Sequence, residues 1–185
     1  MIDIPIYYIN MDKDKDRNEN MKINLEKYSS NFKRISAING KKISDLRGDE
    51  IDGIKFKVPK NRKRPTRNEM GCLLSHIKTI EQIEKDNNDI AIIFEDDIEF
   101  TYIDKWDDTI ENIIKNAPSD WSIIKLHTNN YRFTEILIKS YNRDKKYYEG
   151  YPVRENYSTA AYIINKKTIE LLKQNIIIPI LMNGY

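Results

Sequence analysis

The chain has 185 residues, a common length for one enzyme domain and enough to bury a hydrophobic core. Hydrophobic residues make up 39% and charged residues 32% of the sequence, so we expect a globular protein with a heavily charged surface. The net charge of +2 gives no argument for nucleic acid as a partner.

Strand-like and helix-like segments alternate along the chain. In chain order, the sequence predicts a strand at 4–9, a helix at 17–28, a strand at 32–37, a helix at 68–85, a strand at 90–94, a helix at 107–116, strands at 122–126 and 158–164, and a helix at 167–174. Residues 41–67 show no regular period. The alternation predicts an α/β fold, with a mostly parallel sheet and helices on both faces.

The strand predicted at 90–94 runs directly into three carboxylates, Glu95, Asp96 and Asp97. Ligand sites in α/β sheets lie at the carboxyl ends of the strands. Three adjacent acids repel one another unless they face water or a cation, and Mn²⁺ or Mg²⁺ beside a diphosphate is a suitable partner. A charged turn in solvent explains an isolated acidic triplet equally well. The choice between a turn and a cation site therefore depends on the neighbouring segments.

The acidic triplet is one of five segments that recur together in a known order. They read PIYYINMDKDKDR at 5–17, RISAING at 34–40, NEMGCLLSHIKTI at 68–80, IIFEDD at 92–97 and STAAYIINKKTIELL at 158–172. In this order and at these spacings they resemble glycosyltransferase family 25, which includes bacterial lipooligosaccharide galactosyltransferases and collagen galactosyltransferases. The M-G-C-L-L-S-H and F-E-D-D segments are the specific part of the resemblance.

The resemblance implies a Rossmann-like fold of the GT-A type and a metal-dependent glycosyltransferase. Such an enzyme moves a sugar, galactose or glucose, from a UDP-sugar donor to a glycan, lipooligosaccharide or hydroxylysine-type glycoprotein acceptor, with inversion. In GT-A folds an acidic motif ends a central strand; its first acid faces the ribose and its last binds the metal. In this sequence Glu95 takes the first place and Asp97 the last, so Asp97 is the first implied ligand for Mn²⁺ or Mg²⁺, and Glu95 is a second candidate ligand. The implied donor-binding residues are Ile9, Asn10, Arg17, Ser75, His76, Glu95 and Asp96.

The helix predicted at 68–85 carries a cysteine and a histidine four residues apart. Cys72 and His76 therefore share one face of the helix, which could suggest a metal site, but the absence of further Cys or His partners argues against zinc. Ser75 and His76 point about 100° apart and cannot act on each other in a simple way. We expect Cys72 to pack inside, and His76 or Ser75 to hydrogen-bond the nucleotide or the strand end.

Residues 55–67 form a basic run with two prolines, KFKVPKNRKRPTR. The run is compatible with a nucleic-acid arm, with a mobile loop that attracts a sugar diphosphate, or with a solvated loop. The second interpretation is better supported than the first, because Thr66 or Asn68 can cap the helix that carries the family motif, and aromatic residues for base stacking are nearly absent.

The chain departs from the family pattern at several positions. Asn68 and Ser158 replace glycines, and longer relatives continue past the position of Tyr185 with an acidic segment. We expect a single domain over residues 1–185, either a minimal transferase or one that lacks a C-terminal portion. Transfer should be slow or absent unless Glu149, Glu155 or an earlier acid serves as the base.

Two other classes of function remain open on the sequence alone. One is a catalytically weak or inactive nucleotide-sugar-binding module of the same fold. The other is a metal-dependent phosphoryl-transfer or hydrolase domain, against which the absence of a phosphate-binding loop and of an Asp-x-Asp after the first strand both argue.

The sequence also bears on the compartment of the protein. The one cysteine cannot form an internal disulfide, which suits a reducing compartment. We see neither a signal peptide nor an apolar run of the roughly 20 residues that a membrane span needs. We therefore expect a cytoplasmic protein without a transmembrane segment, with peripheral membrane contact if the acceptor is a lipid-linked glycan.

Overall fold

A central five-stranded sheet and a separate two-stranded sheet organise the chain. The computed structural model describes residues 2–58, 60, 63–128, 135, 139 and 158–174. Its strands are β1 (Ile6–Asn10), β2 (Phe32–Ser36), β3 (Gly48–Ile51), β4 (Ile54–Lys57), β5 (Ile90–Glu95), β6 (Ile123–Lys125) and β7 (Ala161–Asn165). Its α-helices are α1 (Lys15–Leu25), α2 (Arg67–Lys85), α3 (Ile110–Lys115) and α4 (Lys166–Gln174).

The central sheet has the strand order β2-β1-β5-β7-β6, so β5, the strand that ends in the acidic triplet, lies in the middle. β1 pairs in parallel with both β2 and β5. β7 pairs antiparallel with both β5 and β6. Four strands therefore point in one direction and β7 points in the other, which confirms a mixed α/β fold with a mostly parallel sheet.

Helices cover both faces of the central sheet, also as predicted. Successive residues of a strand face opposite sides, and β1 divides accordingly: Tyr7 and Ile9 face one core, whereas Ile6 and Tyr8 face the other. The first core adds Ile80 and Ile83 from α2 and Ile169 from α4. The second core adds Met21 and Leu25 from α1 and Ile110 from α3.

The segment 41–67, for which the sequence indicates no regular element, contains a β-hairpin. β3 and β4 pair antiparallel around a turn in which Asp52 and Gly53 have positive φ angles of 52° and 82°. An Asp-Gly pair between apolar residues is a strong hairpin signal. The strands on either side of it are too short to show a regular hydrophobic period in the sequence. The hairpin has a core of its own, which packs against the first half of α2 through Met70, Leu73 and Leu74.

Helix termini differ from the predicted boundaries where capping side chains set them. α2 begins at Arg67 because Thr66 accepts a hydrogen bond from the Glu69 amide while Glu69 binds back to the Thr66 amide. Thr66 was one of the two predicted caps. α3 begins at Ile110 rather than at 107, since Thr109 caps it. In the described part of the chain, no helix is long and apolar enough to cross a membrane.

Candidate functional site

The acidic triplet lies at the carboxyl edge of the central sheet, between two other chain segments. β1 runs parallel to β5, so its last residues end at this edge, with Ile9 opposite Glu95. β7 runs antiparallel, so the residues that precede it reach the same edge, and the Glu95 amide donates to the Ala160 carbonyl at 2.8 Å. Three segments far apart in sequence therefore meet around the triplet.

Glu95 points into the protein rather than toward solvent. Its side chain is 28% exposed, and Oε1 accepts a hydrogen bond from Thr159 Oγ1 at 2.5 Å. The same oxygen lies 3.2 Å from Nε2 of His76. Burial raises the pKa of Glu95, but the bonds from His76 and Thr159 outweigh it and hold the pKa below the usual range. Glu95 is therefore a carboxylate fixed in position by two partners.

His76 is buried between α2, β5 and β7, with a side chain only 2% exposed. Its Nδ1 lies 2.9 Å from the hydroxyl of Tyr162 on β7. Burial lowers the pKa of His76, but the Cys72 and Glu95 side chains offset this and raise the pKa to about 9. Of the contacts expected for His76, the one with the strand end is present, through Glu95, and a contact with the nucleotide stays a prediction.

Asp96 joins two of the predicted donor-binding residues. Asn10 donates from Nδ2 to Oδ2 of Asp96 at 2.6 Å, and Arg17 donates from Nη1 to Oδ1 at 3.1 Å. Asp96 is 11% exposed in its side chain, and each of its oxygens accepts one hydrogen bond from within the protein. The end of β1, the first turn of α1 and the acidic triplet are therefore connected through one carboxylate.

Asp97 is the most exposed acid of the triplet, with 54% of its side chain accessible. Its Oδ2 is 3.9 Å from Nη1 of Arg17, a loose contact beside the tighter bond between Arg17 and Asp96. Glu95 and Asp96 accept closer hydrogen bonds from protein donors, so Asp97 is the acid of the triplet that is least engaged within the protein.

Arg34 belongs to this network, although the sequence did not identify it. Its Nε donates to Oδ1 of Asn10 at 2.8 Å, and its Nη2 donates to Asp12 at 2.6 Å. The network also lowers the pKa of Asp12, through Arg34 first and then Ser36. Arg34 lies on β2 in the R-I-S-A-I-N-G segment, opposite Tyr8 of β1. Its contact with Asn10 follows from the pairing of β1 with β2, which the sequence alone does not reveal.

Ser75 and Ile9 make their described contacts within the protein. Ser75 is buried, accepts a hydrogen bond from the Ile38 amide at 2.8 Å and donates to the Gly71 carbonyl at 2.6 Å. Ile9 is buried in the core shared with α2. Ser75 therefore holds the turn after β2 against α2, and a donor-binding role for either residue stays a prediction.

The prediction that Cys72 packs inside is wrong, because Cys72 is exposed. The residues that follow it on α2, Leu73 and Leu74, are the ones that enter the hairpin core. Cys72 nevertheless lies beside the site: ligand atoms of Cys72, His76 and Glu95 are all within 4.8 Å of one another.

The basic run at 55–67 is not one continuous loop. Lys55 and Lys57 lie on β4, where they are exposed and alternate with buried Ile54 and Phe56. At the other end, Arg67 begins α2, and its guanidinium donates to the Ile43 carbonyl. Residues 59, 61 and 62 are outside the described part of the chain, as are Glu149 and Glu155, so the mobile loop and the candidate bases stay predictions.

Comparisons with known proteins agree with these motifs. Residues 3–180 match the profile of a family described as glycosyltransferase family 25, LPS biosynthesis protein. The chain is 32% identical to procollagen galactosyltransferase 1-A of Xenopus laevis over 126 residues, which cover 65% of this chain and 20% of that protein.

Two further relatives show the same limited coverage. A glycosyltransferase 25 family member of Aedes aegypti is 30% identical over 99 residues, 51% of this chain and 16% of that protein. Procollagen galactosyltransferase 2 of Mus musculus is 29% identical over 124 residues, 64% of this chain and 20% of that protein. The matches thus span no more than about a fifth of these relatives.

Proposed function

This chain belongs to glycosyltransferase family 25, and on that premise we propose that it transfers a sugar from a UDP-sugar donor to a glycan acceptor. The relatives that are named galactosyltransferases favour galactose over glucose as the sugar. The acceptor class includes lipooligosaccharide and hydroxylysine-type glycoproteins, and the transfer proceeds with inversion. A fold of the GT-A type is part of this proposal.

The observation that carries the proposal is the arrangement of Asn10, Arg17 and Asp96 at the carboxyl edge of β1 and β5. Ligands bind at this edge in parallel α/β sheets. Asn10 holds Asp96 in place, so Asp96 and the partly exposed Arg17 present a fixed acid and a cation side by side. This pair suits the ribose hydroxyls and the phosphates of a nucleotide, since carboxylates accept from hydroxyls and guanidinium groups donate to phosphates.

A divalent ion, Mn²⁺ or Mg²⁺, is the proposed cofactor. The residues present fit such an ion, because the exposed carboxylate of Asp97 supplies hard oxygen donors next to the nucleotide residues. Glu95 is the second candidate ligand. It ranks after Asp97 because its Oε1 already accepts a hydrogen bond from Thr159 and lies near His76. Bound there, the ion supplies Lewis-acid stabilisation of the departing diphosphate.

Substitution of Asp97 tests the proposal. We expect Asp97→Asn to remove the Mn²⁺-dependent part of UDP binding, measured by titration calorimetry with and without Mn²⁺, while the circular dichroism spectrum stays unchanged. The matched control is Asp89→Asn, an exposed aspartate just before β5, at the opposite end of the same strand. Equal, metal-dependent UDP binding by the wild type and Asp97→Asn would contradict the assignment.

Turnover is tested separately from binding. Release of galactose or glucose from the corresponding UDP-sugar, with and without an acceptor glycan, reports catalysis. UDP binding without release or transfer would support a nucleotide-sugar-binding module instead of an enzyme.

A further inference from the structure

We propose that Cys72, His76 and Glu95 form a site for a borderline divalent ion, with Zn²⁺ as its preferred occupant. The site differs in chemistry from the oxygen site proposed at Asp97, because it contains a sulfur and an imidazole ligand. Glu95 is a candidate ligand for both sites, and an ion held beside His76 takes it, so that the oxygen site then rests on Asp97. Sulfur and nitrogen ligands select Zn²⁺ over Mn²⁺ and Mg²⁺. The inference does not depend on the proposed transferase activity.

The fold brings the three residues together from two elements. Cys72 and His76 are four residues apart on α2, so their side chains lie on one side of the helix, one turn apart. Glu95 ends β5 and reaches His76 from the sheet. Among the described residues, this is the one group of three cysteine, histidine or acidic side chains whose ligand atoms converge within 4.8 Å. The sequence conceals it, because the third ligand is on another element.

The distance between two of the ligand atoms fits a shared metal ion. His76 Nε2 and Glu95 Oε1 are 3.2 Å apart, longer than the usual N–H···O separation of about 2.9–3.0 Å. Two ligands bound at about 2.0 Å with a tetrahedral angle lie roughly 3.3 Å apart. An ion can therefore replace the proton between these atoms with little movement of either side chain.

The surrounding hydrogen bonds orient both ligands as in known metal sites. Tyr162 OH lies 2.9 Å from Nδ1 of His76, and a bond from Nδ1–H to this oxygen keeps Nε2 directed at Glu95, so the nitrogen that gives up its proton to the ion already faces the second ligand. Thr159 holds the Glu95 carboxylate from the other side. Metal-binding histidines and carboxylates are usually fixed by such outer partners.

Exposure of Cys72 supplies the route for entry. His76 is buried and Glu95 is mostly buried, so an ion reaches them from the side of the exposed thiol. Three protein ligands leave the fourth position of a tetrahedral ion open to water or to a ligand oxygen. The site thus satisfies the requirements of ligand number, spacing, outer partners and access.

Cobalt spectroscopy of the chelator-treated full chain tests the proposal. Co²⁺ bound to a thiolate in a tetrahedral site gives a sulfur-to-metal charge-transfer band and intense visible bands. Because the chain has one cysteine, such a band in a one-to-one complex can come only from Cys72. We expect saturation at one Co²⁺ per chain, displacement by Zn²⁺, and no displacement by equimolar Mn²⁺.

Variants separate this site from the alternatives. Cys72→Ser, at an exposed position, should abolish the charge-transfer band, and Glu95→Gln should weaken Zn²⁺ binding by about tenfold or more. Asp97→Asn should leave both unchanged, which distinguishes failure here from failure of the proposed function. Absence of the charge-transfer band at saturating Co²⁺ would overturn the proposal, and so would a band that Glu95→Gln leaves unaltered. A stoichiometry of one Co²⁺ per two chains would also overturn it, because it indicates an ion bridged between the exposed thiols of two molecules.

Discussion

The side-chain amide of Asn10 donates to Asp96 across 2.6 Å and so joins the end of β1 to the acidic triplet after β5. Asn10 is 1% exposed, and its other side-chain atom, Oδ1, accepts from Arg34 of β2. One buried amide therefore links three strands at the edge where the nucleotide is proposed to bind. A residue of this kind serves the site by fixing its acid, whether or not it touches the ligand.

Replacement of this amide should therefore destabilise the protein. Asn10→Ala leaves Asp96 and Arg34 without a partner they have in the native state, so we expect the free energy of unfolding to fall by about 1–3 kcal/mol. Urea unfolding measures the change. Asn20→Ala, at an exposed position of α1, is the control and should alter stability by no more than about 0.5 kcal/mol. Equal effects of the two substitutions would show that the buried amide contributes no more than a surface one.

The glycine of the M-G-C-L-L-S-H segment should not tolerate a side chain. A Cβ on Gly71 would lie 2.8 Å from both the Gly40 nitrogen and the Ile38 oxygen, which are backbone atoms and cannot rotate away. We expect Gly71→Ala to lower the free energy of unfolding by about 1–3 kcal/mol, despite the better helix propensity of alanine. Thermal or urea unfolding provides the measurement.

Gly48→Ala is the matched control for this substitution. The nearest atom to a Cβ on Gly48 is 3.4 Å away, an ordinary contact. A Gly71→Ala variant as stable as Gly48→Ala would mean that α2 can move away from the turn after β2 at no cost.

The stability of the metal-free protein should depend on the protonation of His76. The folded state raises the pKa of His76 to about 9 from an unfolded value near 6.5, because Cys72 and Glu95 favour the imidazolium more than burial opposes it. This contribution is fully present below about pH 6.5 and is lost as the pH rises through about 9. Tyr162, the remaining titratable neighbour, keeps its proton in this range because burial and Glu95 raise its pKa.

Nuclear magnetic resonance titration in the presence of a chelator measures this pKa directly, since the chain has only two histidines. Glu95→Gln removes one of the two favourable partners and should shift the midpoint of His76 downward. A wild-type midpoint at or below about 6.5 would contradict the prediction, because burial would then dominate.

The sequence predicts those helices and strands whose hydrophobic residues follow a clear local period. The buried run at 90–94 and the helical spacing of Met70, Leu73 and Leu74 mark β5 and α2 with small boundary errors. The reversed direction of β7 was not predictable, because an apolar run specifies burial and not the direction of the partner strand. The β3–β4 hairpin has strands of only four residues, too short to produce a clear period, so the Asp52-Gly53 turn is its one strong signal in the sequence.

The residues of the candidate site also fall into those that the sequence predicts and those that only the fold reveals. Asn10, Arg17 and Asp96 lie in segments that carry the family resemblance, and the structure brings these three together. The pairing of His76 with Glu95, and of Arg34 with Asn10, depends on contacts between elements distant in sequence, which a single sequence does not contain. The exposure of Cys72 was not predictable, because helical spacing alone does not tell which side of α2 the hairpin covers.

The division of α2 between two cores has a consequence for how the protein opens. Its first half packs on the β3–β4 hairpin, whereas Ile80 and Ile83 in its second half pack on the central sheet. Local unfolding proceeds in contiguous cooperative units that follow such packing. Detachment of the hairpin would release the amides of the first half to hydrogen exchange while the second half stays anchored, and His76 lies at the boundary. Access to its imidazole can thus vary with a motion that leaves the central sheet intact.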